Sequence, residues 1–138
     1  YAAYYAEIET EYQRLDVADF LTLHDPNQKI EEEYRKSDMF CLPSLFEGYP
    51  NVVVEAMSCG LPIICSNVYE NPYIVEEGVN GFLFDPKKPE TIADAINKMA
   101  NLTHEERLEM GKRNRQLCLK RNTEEAFLKS YVELIEKL

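Results

Sequence analysis

Short apolar segments alternate with stretches of helical periodicity along this chain. Three are uninterrupted: Met39-Phe40-Cys41-Leu42, Pro62-Ile63-Ile64-Cys65 and Phe82-Leu83-Phe84, and Phe20-Leu21-Thr22-Leu23 is a fourth candidate strand. Apolar runs of this kind are typical of parallel strands with helices on both faces of the sheet. The pattern therefore predicts an α/β fold: a Rossmann-like doubly wound parallel sheet of about four strands, with a helical C-terminal end.

Helices are predicted between these strands. Residues 4–16 and 28–36 have helical spacing, and a further helix is expected to start near Asn51 and stop at Gly60, a residue suited to the position after a helix. The chain opens on a helix and is short of strands for a full doubly wound domain. We therefore expect residues 1–138 to be a single, N-terminally truncated domain whose first strand and phosphate-binding loop lie upstream.

The last fifty residues are predicted to be helical. Thr103-x-x-Glu106 is a capping-box pattern, and Asn122-x-x-Glu125 is a weaker variant of it. The final helix carries an apolar stripe, which favours packing over ligand binding. The stripe consists of Phe127, Tyr131, Leu134 and Leu138.

The charge balance excludes several partners. With 15 Lys+Arg against 25 Asp+Glu, the net charge is −10, which disfavours nucleic acid and anionic membrane surfaces. Hydrophobic residues make up 45% of the chain, enough for a folded core. No apolar run approaches the ~18 residues of a membrane helix, and the N-terminus lacks a signal-peptide pattern. We expect a cytoplasmic location.

The cysteines indicate no disulfide framework and no metal site. Cys41, Cys59, Cys65 and Cys118 form no C-x-x-C motif, and the first three lie among apolar residues. We expect them to be buried, reduced side chains. His24 and His104 are far apart in the sequence and do not complete a zinc site.

The segment from Pro43 to Gly60 lies between a strand end and a helix start. Gly48 permits close backbone approach to a ligand. Pro50 and Asn51 mark the helix start, with Asn51 as the expected N-cap. The free N–H groups of the first helical turn would point at an anion.

Two carboxylates, Glu47 and Glu55, are eight residues apart in this segment and could flank one pocket. Carboxylates accept hydrogen bonds from sugar hydroxyls well. The same features also fit an ordinary strand-to-helix connection, in which Glu47 is solvated and Glu55 only favours the helix dipole. A nucleotide phosphate over the helix is the other interpretation.

An ordered set of motifs decides between these interpretations. It consists of Pro43-Ser44, Glu47-Gly48-Tyr49, Glu55, Ala56-Met57, Gly60, Pro62 and Gly81-Phe82-Leu83. With these motifs, the segment from Ser37-Asp38 to Asp85-Pro86 resembles the C-terminal, donor-binding domain of the family-four (group 1) retaining glycosyltransferases, which have the GT-B fold. The resemblance implies a nucleotide-sugar-binding domain over residues 1–138.

The resemblance assigns roles to individual residues. It implies that Glu55 binds the ribose hydroxyls and that Glu47 is the catalytic-site carboxylate contacting the transferred sugar. The remaining expected contacts are the backbone at Gly48, backbone amides of Tyr49, Asn51 and Val52, the His24-Asp25-Pro26 turn at the nucleobase, and Ser44, which is also a candidate local cap.

The implied chemistry is retaining transfer of a hexose from a nucleotide-diphosphate sugar, a UDP-sugar by the family-level expectation, to an acceptor hydroxyl in glycan or polysaccharide synthesis. No metal or other cofactor is expected. In this family a helix N-terminus and an upstream Arg/Lys pair stabilise the diphosphate, and no segment here matches that pair. We expect this chain alone to be inactive without the N-terminal acceptor domain.

Other functions stay open at this stage. One is a different GT-B nucleotide-sugar enzyme such as an epimerase, and another is a non-enzymatic α/β signalling or interaction module. The expected partners are a nucleotide sugar and the N-terminal acceptor domain, but no nucleic acid. The resemblance also allows peripheral membrane association of the full enzyme through other segments, and the stripe on the last helix allows self-association.

Overall fold

The sheet consists of three parallel strands in the order β1-β2-β3, within a computed structural model that describes residues 2–25 and 29–137. The strands are β1 (Phe40–Leu42), β2 (Ile63–Ser66) and β3 (Gly81–Phe84). The helices are α1 (Ala2–Leu15), α2 (Ile30–Lys36), α3 (Asn51–Ser58), α4 (Asn71–Ile74), α5 (Pro89–Asn101), α6 (His104–Arg121) and α7 (Glu124–Ile135).

Strand β2 is buried along its whole length because it pairs with a strand on each side and has helices on both faces. Its register sets Ile63 against Gly81 and Ile64 against Phe82. Alternate residues of a strand point to opposite faces. Ile63 accordingly joins one apolar cluster and Ile64 the other, which confirms the predicted α/β architecture.

The two clusters use different helices. On one face of the sheet, α2, α3 and the end of α6 cover the strands; on the other, α5 and the beginning of α6 do. The first cluster is centred on Tyr34, Val53, Ala56, Met57, Leu61, Ile63, Cys65, Val75 and Cys118. The second is centred on Ile64, Phe82, Phe84, Ala95, Met99 and Met110.

Helix α6 is hydrogen-bonded to the chain at the amino ends of β2 and β3. The buried Asn114 amide donates to the carbonyls of Leu61 at 2.7 Å and Asn80 at 2.8 Å, just before each strand. Gly111 packs directly on the backbone of Gly60, which has a φ of 82° after α3. A side chain at Gly111 would overlap the Gly60 carbonyl, so only glycine allows this approach.

Most predicted elements are confirmed, including the Thr103–Glu106 capping box at α6. The strand predicted at residues 20–23 is wrong, because this segment pairs with no described strand. It lies instead beside α1, where the Tyr12 hydroxyl donates to the Leu21 carbonyl at 2.7 Å. A β-strand requires a hydrogen-bonding neighbour. Within the described part of the chain the sheet therefore has three strands rather than about four.

Two smaller predictions are also corrected. The N-cap of α7 is Thr123, whose hydroxyl accepts from the Ala126 amide, whereas Asn122 ends α6. Cys41 is exposed and Cys59 is only half-buried, so the expectation that all four cysteines are buried is wrong for these two. Cys65 and Cys118 are buried as expected, and burial raises the pKa of the Cys65 thiol to about 12.

The contact between Gly111 and Gly60 gives a test of the fold. We expect Gly111→Ala to lower the free energy of unfolding by about 1–3 kcal/mol, because the added methyl forces the helix away from the Gly60 backbone. Gly48→Ala is the control, since nothing lies within 4 Å of a Cβ at Gly48. Urea denaturation measures both variants, and equal stability of the two would contradict the proposed close packing.

Candidate functional site

The loop after β1 brings two predicted site residues together. The Ser44 hydroxyl donates a hydrogen bond of 2.5 Å to Oε1 of Glu47, and both side chains are half-buried. A short bond to a carboxylate is a charge-assisted hydrogen bond. It fixes one carboxylate oxygen of Glu47, while no donor in residues 2–25 and 29–137 reaches Oε2. Ser44 therefore orients Glu47.

Helix α3 begins immediately after this loop with an uncapped N-terminus. Pro50 occupies the N-cap position and provides no side-chain hydrogen bond, so the prediction of Asn51 as N-cap is wrong. Val53 and Val54 donate their amides to the Pro50 carbonyl. The first N–H groups of a helix have no intrahelical acceptor. The amides of Asn51 and Val52, both exposed residues, are thus left for an outside acceptor.

Glu55 lies on the same helix and contacts a residue that the sequence did not indicate. Its Oε2 accepts a hydrogen bond of 3.3 Å from the hydroxyl of Tyr34 in α2. Tyr34 is buried, and its ring packs edge-on against Phe40 of β1 with 5.6 Å between centroids. A buried phenol therefore donates a long hydrogen bond to an exposed carboxylate.

The ionisation of Tyr34 reflects this arrangement. Burial first, and then the negative charge of Glu55, raise the pKa of Tyr34 to about 12. Tyr34 thus keeps its proton through the neutral range and serves as a permanent hydrogen-bond donor to the Glu55 carboxylate.

The other predicted site residues are more dispersed. Tyr49 is exposed, and its hydroxyl accepts a hydrogen bond of 2.7 Å from the Asn122 amide at the end of α6. Gly48 lies in the exposed loop with open space around it. His24 is exposed, and no hydrogen bond within the described ranges joins it to Glu47 or Glu55. Asp25, the next residue of the predicted turn, is also exposed, and Pro26 lies outside the described residues.

Sequence reasoning missed the partner of Glu55 and an aromatic pair. Tyr34 belongs to the segment 28–36, for which the sequence predicts only a helix, and it is 21 residues from Glu55 in the chain. Phe46, next to Glu47, contacts Tyr69 in the loop after β2. Aromatic residues in the segments that follow the predicted strands are visible in the sequence, but the sequence does not indicate which rings meet.

A family model described as "Glycosyl transferases group 1" matches residues 5–117. The chain belongs to this family. The match covers β1 to β3 and the helices around them, so the predicted resemblance is confirmed.

Named relatives of this group 1 chain are larger proteins. A D-inositol 3-phosphate glycosyltransferase of Streptomyces griseus is 31% identical over 90 residues, which cover 64% of the chain and 19% of the relative. The spore coat protein SA of Bacillus subtilis is 40% identical over 89 residues, or 63% of the chain and 23% of the relative. The chain thus matches about a fifth of the length of these curated relatives.

Solved structures share the fold. HepE of Anabaena, determined in complex with UDP, superposes with a TM-score of 0.89 and 22% identity, covering 99% of this chain and 38% of HepE. The C-terminal domain of a group 1 family protein, LpcC from Francisella tularensis, superposes with a TM-score of 0.73 and 21% identity, covering 88% of this chain and 64% of that domain. The group 1 chain therefore has the Rossmann-like architecture of GT-B glycosyltransferase domains.

In the ranges described, no helix is long and apolar enough to cross a membrane.

The contact between Tyr34 and Glu55 predicts an unusual tyrosine titration. We expect Tyr34 to ionise near pH 12, whereas exposed tyrosines ionise near 10. NMR of ¹³C-labelled tyrosine follows each ring, and Tyr34→Phe identifies the signal. Glu55→Gln should lower the pKa of Tyr34 but leave it above 10, because burial is the larger cause.

The raised pKa of Tyr34 lowers the stability of the fold at alkaline pH. Because folding raises the pKa of Tyr34, its contribution to stability is complete below pH 10 and is lost as the pH rises towards 12. Tyr34→Phe should weaken this alkaline loss. Ionisation of Tyr34 at pH 10 would contradict the buried contact.

Proposed function

We propose that this group 1 chain is the donor-binding domain of a glycosyltransferase. It would bind a nucleotide-diphosphate sugar for retaining transfer to an acceptor hydroxyl in glycan or polysaccharide synthesis. UDP-sugars are the first donors to test, because HepE, which has the same fold, was determined in complex with UDP. The transferred group would be a hexose, and no metal is required by the proposed site.

The open N-terminus of α3 is the observation that carries this proposal. It follows a strand at the carboxyl edge of a parallel sheet, the place where such folds bind ligands. Pro50 leaves the Asn51 and Val52 amides without a side-chain cap. These amides, together with the positive end of the helix dipole, would hold a diphosphate. The charge that develops on the leaving group during transfer would be stabilised there.

The two carboxylates would recognise the neutral parts of the donor. Glu55, held by Tyr34, would accept hydrogen bonds from the ribose hydroxyls. Glu47, oriented by Ser44, would accept from the hydroxyls of the transferred sugar near the reacting carbon. The fixed orientation matters, because catalytic groups act through positioning. His24 would approach the nucleobase in this arrangement, and the backbone of Gly48 and Tyr49 would line the sugar side.

The ribose assignment is tested by Glu55→Ala. We expect the variant to bind the preferred nucleoside diphosphate about 1.5–3 kcal/mol more weakly, roughly 10- to 150-fold in Kd, because charge-assisted hydrogen bonds are lost. Titration calorimetry with UDP, GDP and ADP measures the difference. Glu133→Ala, which removes an exposed glutamate from α7, is the matched control. Equal affinity in both variants would remove Glu55 from the ribose role.

Because the donor and the acceptor would be bound by different domains, we predict that the 138-residue chain is inactive by itself. It contains no match to the expected Arg/Lys pair, and the acceptor would be bound by an N-terminal domain. We expect no glycoside product when the chain is incubated with nucleotide sugars and sugar acceptors, measured by mass spectrometry. Turnover that survives purification and is abolished by Glu47→Gln would overturn this separation of functions.

A further inference from the structure

Two exposed aromatic rings form a pair immediately beside Glu47. The rings of Phe46 and Tyr69 lie 4.6 Å apart between centroids, at an interplanar angle of 62°. Phe46 is 69% exposed and Tyr69 is 60% exposed. Exposed apolar rings that lie side by side are more informative than buried ones, because contact between apolar surface and water is unfavourable.

The topology places both rings at the edge of the sheet where the proposed site lies. Phe46 is in the loop that follows β1, and Tyr69 is three residues after the end of β2, the neighbouring parallel strand. The carboxyl ends of parallel strands meet at one edge. The pair therefore bridges two adjacent loops and borders the site on the side of Glu47.

The backbone holds Tyr69 in this position against its own preference. Its φ is 44°, in the left-handed region that non-glycine residues seldom adopt. The surrounding loop fixes it: the Val68 amide donates to the Ser66 carbonyl, the Asn71 amide donates to Val68, and the buried Asn71 side chain donates to Ser66 at 2.8 Å. Such strained residues cluster at functional sites.

We propose that Phe46 and Tyr69 form a stacking platform for a pyranose ring. A pyranose presents C–H groups on its faces and hydroxyls at its rim. The negative face of an aromatic ring suits the C–H groups, and the carboxylate of Glu47, the next residue after Phe46, suits the hydroxyls. This inference rests on the proposed function and adds to it the residues that select the sugar.

A sugar fits the platform better than the nucleobase does. The carboxylate assigned to the nucleoside, Glu55, is hydrogen-bonded to α2. The aromatic pair instead joins the loop of Glu47 to the loop after β2. The pyranose ring could belong to the donor or to the acceptor, because both present the same surface, and the experiment distinguishes the two.

The experiment compares variants that remove the rings and keep the backbone. Phe46→Leu removes the aromatic face but keeps an apolar side chain, and Tyr69→Asn removes the ring with a residue that tolerates a positive φ. Tyr69→Phe keeps the ring and should rescue binding. Phe127→Leu is the matched control, because Phe127 and Tyr131 in α7 form another exposed aromatic pair with centroids 5.2 Å apart.

The donor arm measures affinity for UDP-glucose, GDP-mannose and ADP-glucose, each against its nucleoside diphosphate, by calorimetry. If the donor's ring stacks here, Phe46→Leu and Tyr69→Asn weaken the preferred nucleotide sugar roughly 3- to 10-fold. The affinity of these two variants for the matching diphosphate stays within about twofold of the unmodified chain. The affinity of Tyr69→Phe and of Phe127→Leu for the nucleotide sugar also stays within about twofold.

The acceptor arm titrates methyl α-D-glucopyranoside, with and without nucleotide, and follows the aromatic NMR signals of Phe46 and Tyr69. If the acceptor's ring stacks here, these signals shift while those of Phe127 and Tyr131 do not. Nucleotide binding without an effect in either arm would overturn the platform and leave the proposed function intact. Absence of nucleotide binding in the unmodified chain would instead overturn the proposed function and the donor form of the platform, and the glucoside arm would then decide the acceptor form.

Discussion

The direct contact between α6 and the turn after α3 is the constraint on which the rest of the structure depends. Gly111 lies against the Gly60 backbone, and one turn later Asn114 satisfies the carbonyls in front of β2 and β3. Without Asn114 the Leu61 carbonyl would lose this partner, and the Asn80 carbonyl would keep only the Ile63 amide at 3.4 Å. Such a loss is costly in a low-dielectric interior. The contact anchors the amino ends of the strands and the C-terminal end of α3, so the opposite edge is free to carry loops and ligands.

The acidic composition and the proposed diphosphate site are compatible because they act over different distances. The net charge of −10 disfavours polyanions that must spread over the surface. A single diphosphate needs only a few local donors, and the uncapped helix N-terminus supplies backbone N–H groups that do not depend on the net charge of the surface. Two of the acidic residues, Glu47 and Glu55, are held in defined positions by the hydroxyls of Ser44 and Tyr34, rather than being free in solvent.

Local sequence signals were sufficient for the architecture but not for the contacts between loops. The runs around Ile64 and Phe82 lack polar residues because both faces of their strands are buried, and this is visible in the sequence. The segment at residues 20–23 has the same local appearance, yet a strand also needs a neighbour, which local pattern does not reveal. Likewise, Tyr34 and Glu55 meet only because α2 and α3 pack on the same face of the sheet. The order of the motifs predicted the family, whereas the Tyr34 contact and the aromatic pair required the fold.

The most direct test of the central claim is a ¹H–¹⁵N NMR titration of the chain with UDP, GDP and ADP, each paired with its nucleoside. At least one of the three diphosphates should bind at the start of α3 and shift the amide signals of Asn51 and Val52 strongly. The corresponding nucleoside should leave them nearly unchanged. The amides of Glu105 and Glu106 report on another helix start, where Thr103 already provides a cap. Shifts confined to that helix, or none at Asn51 and Val52 when a diphosphate binds, would contradict the account.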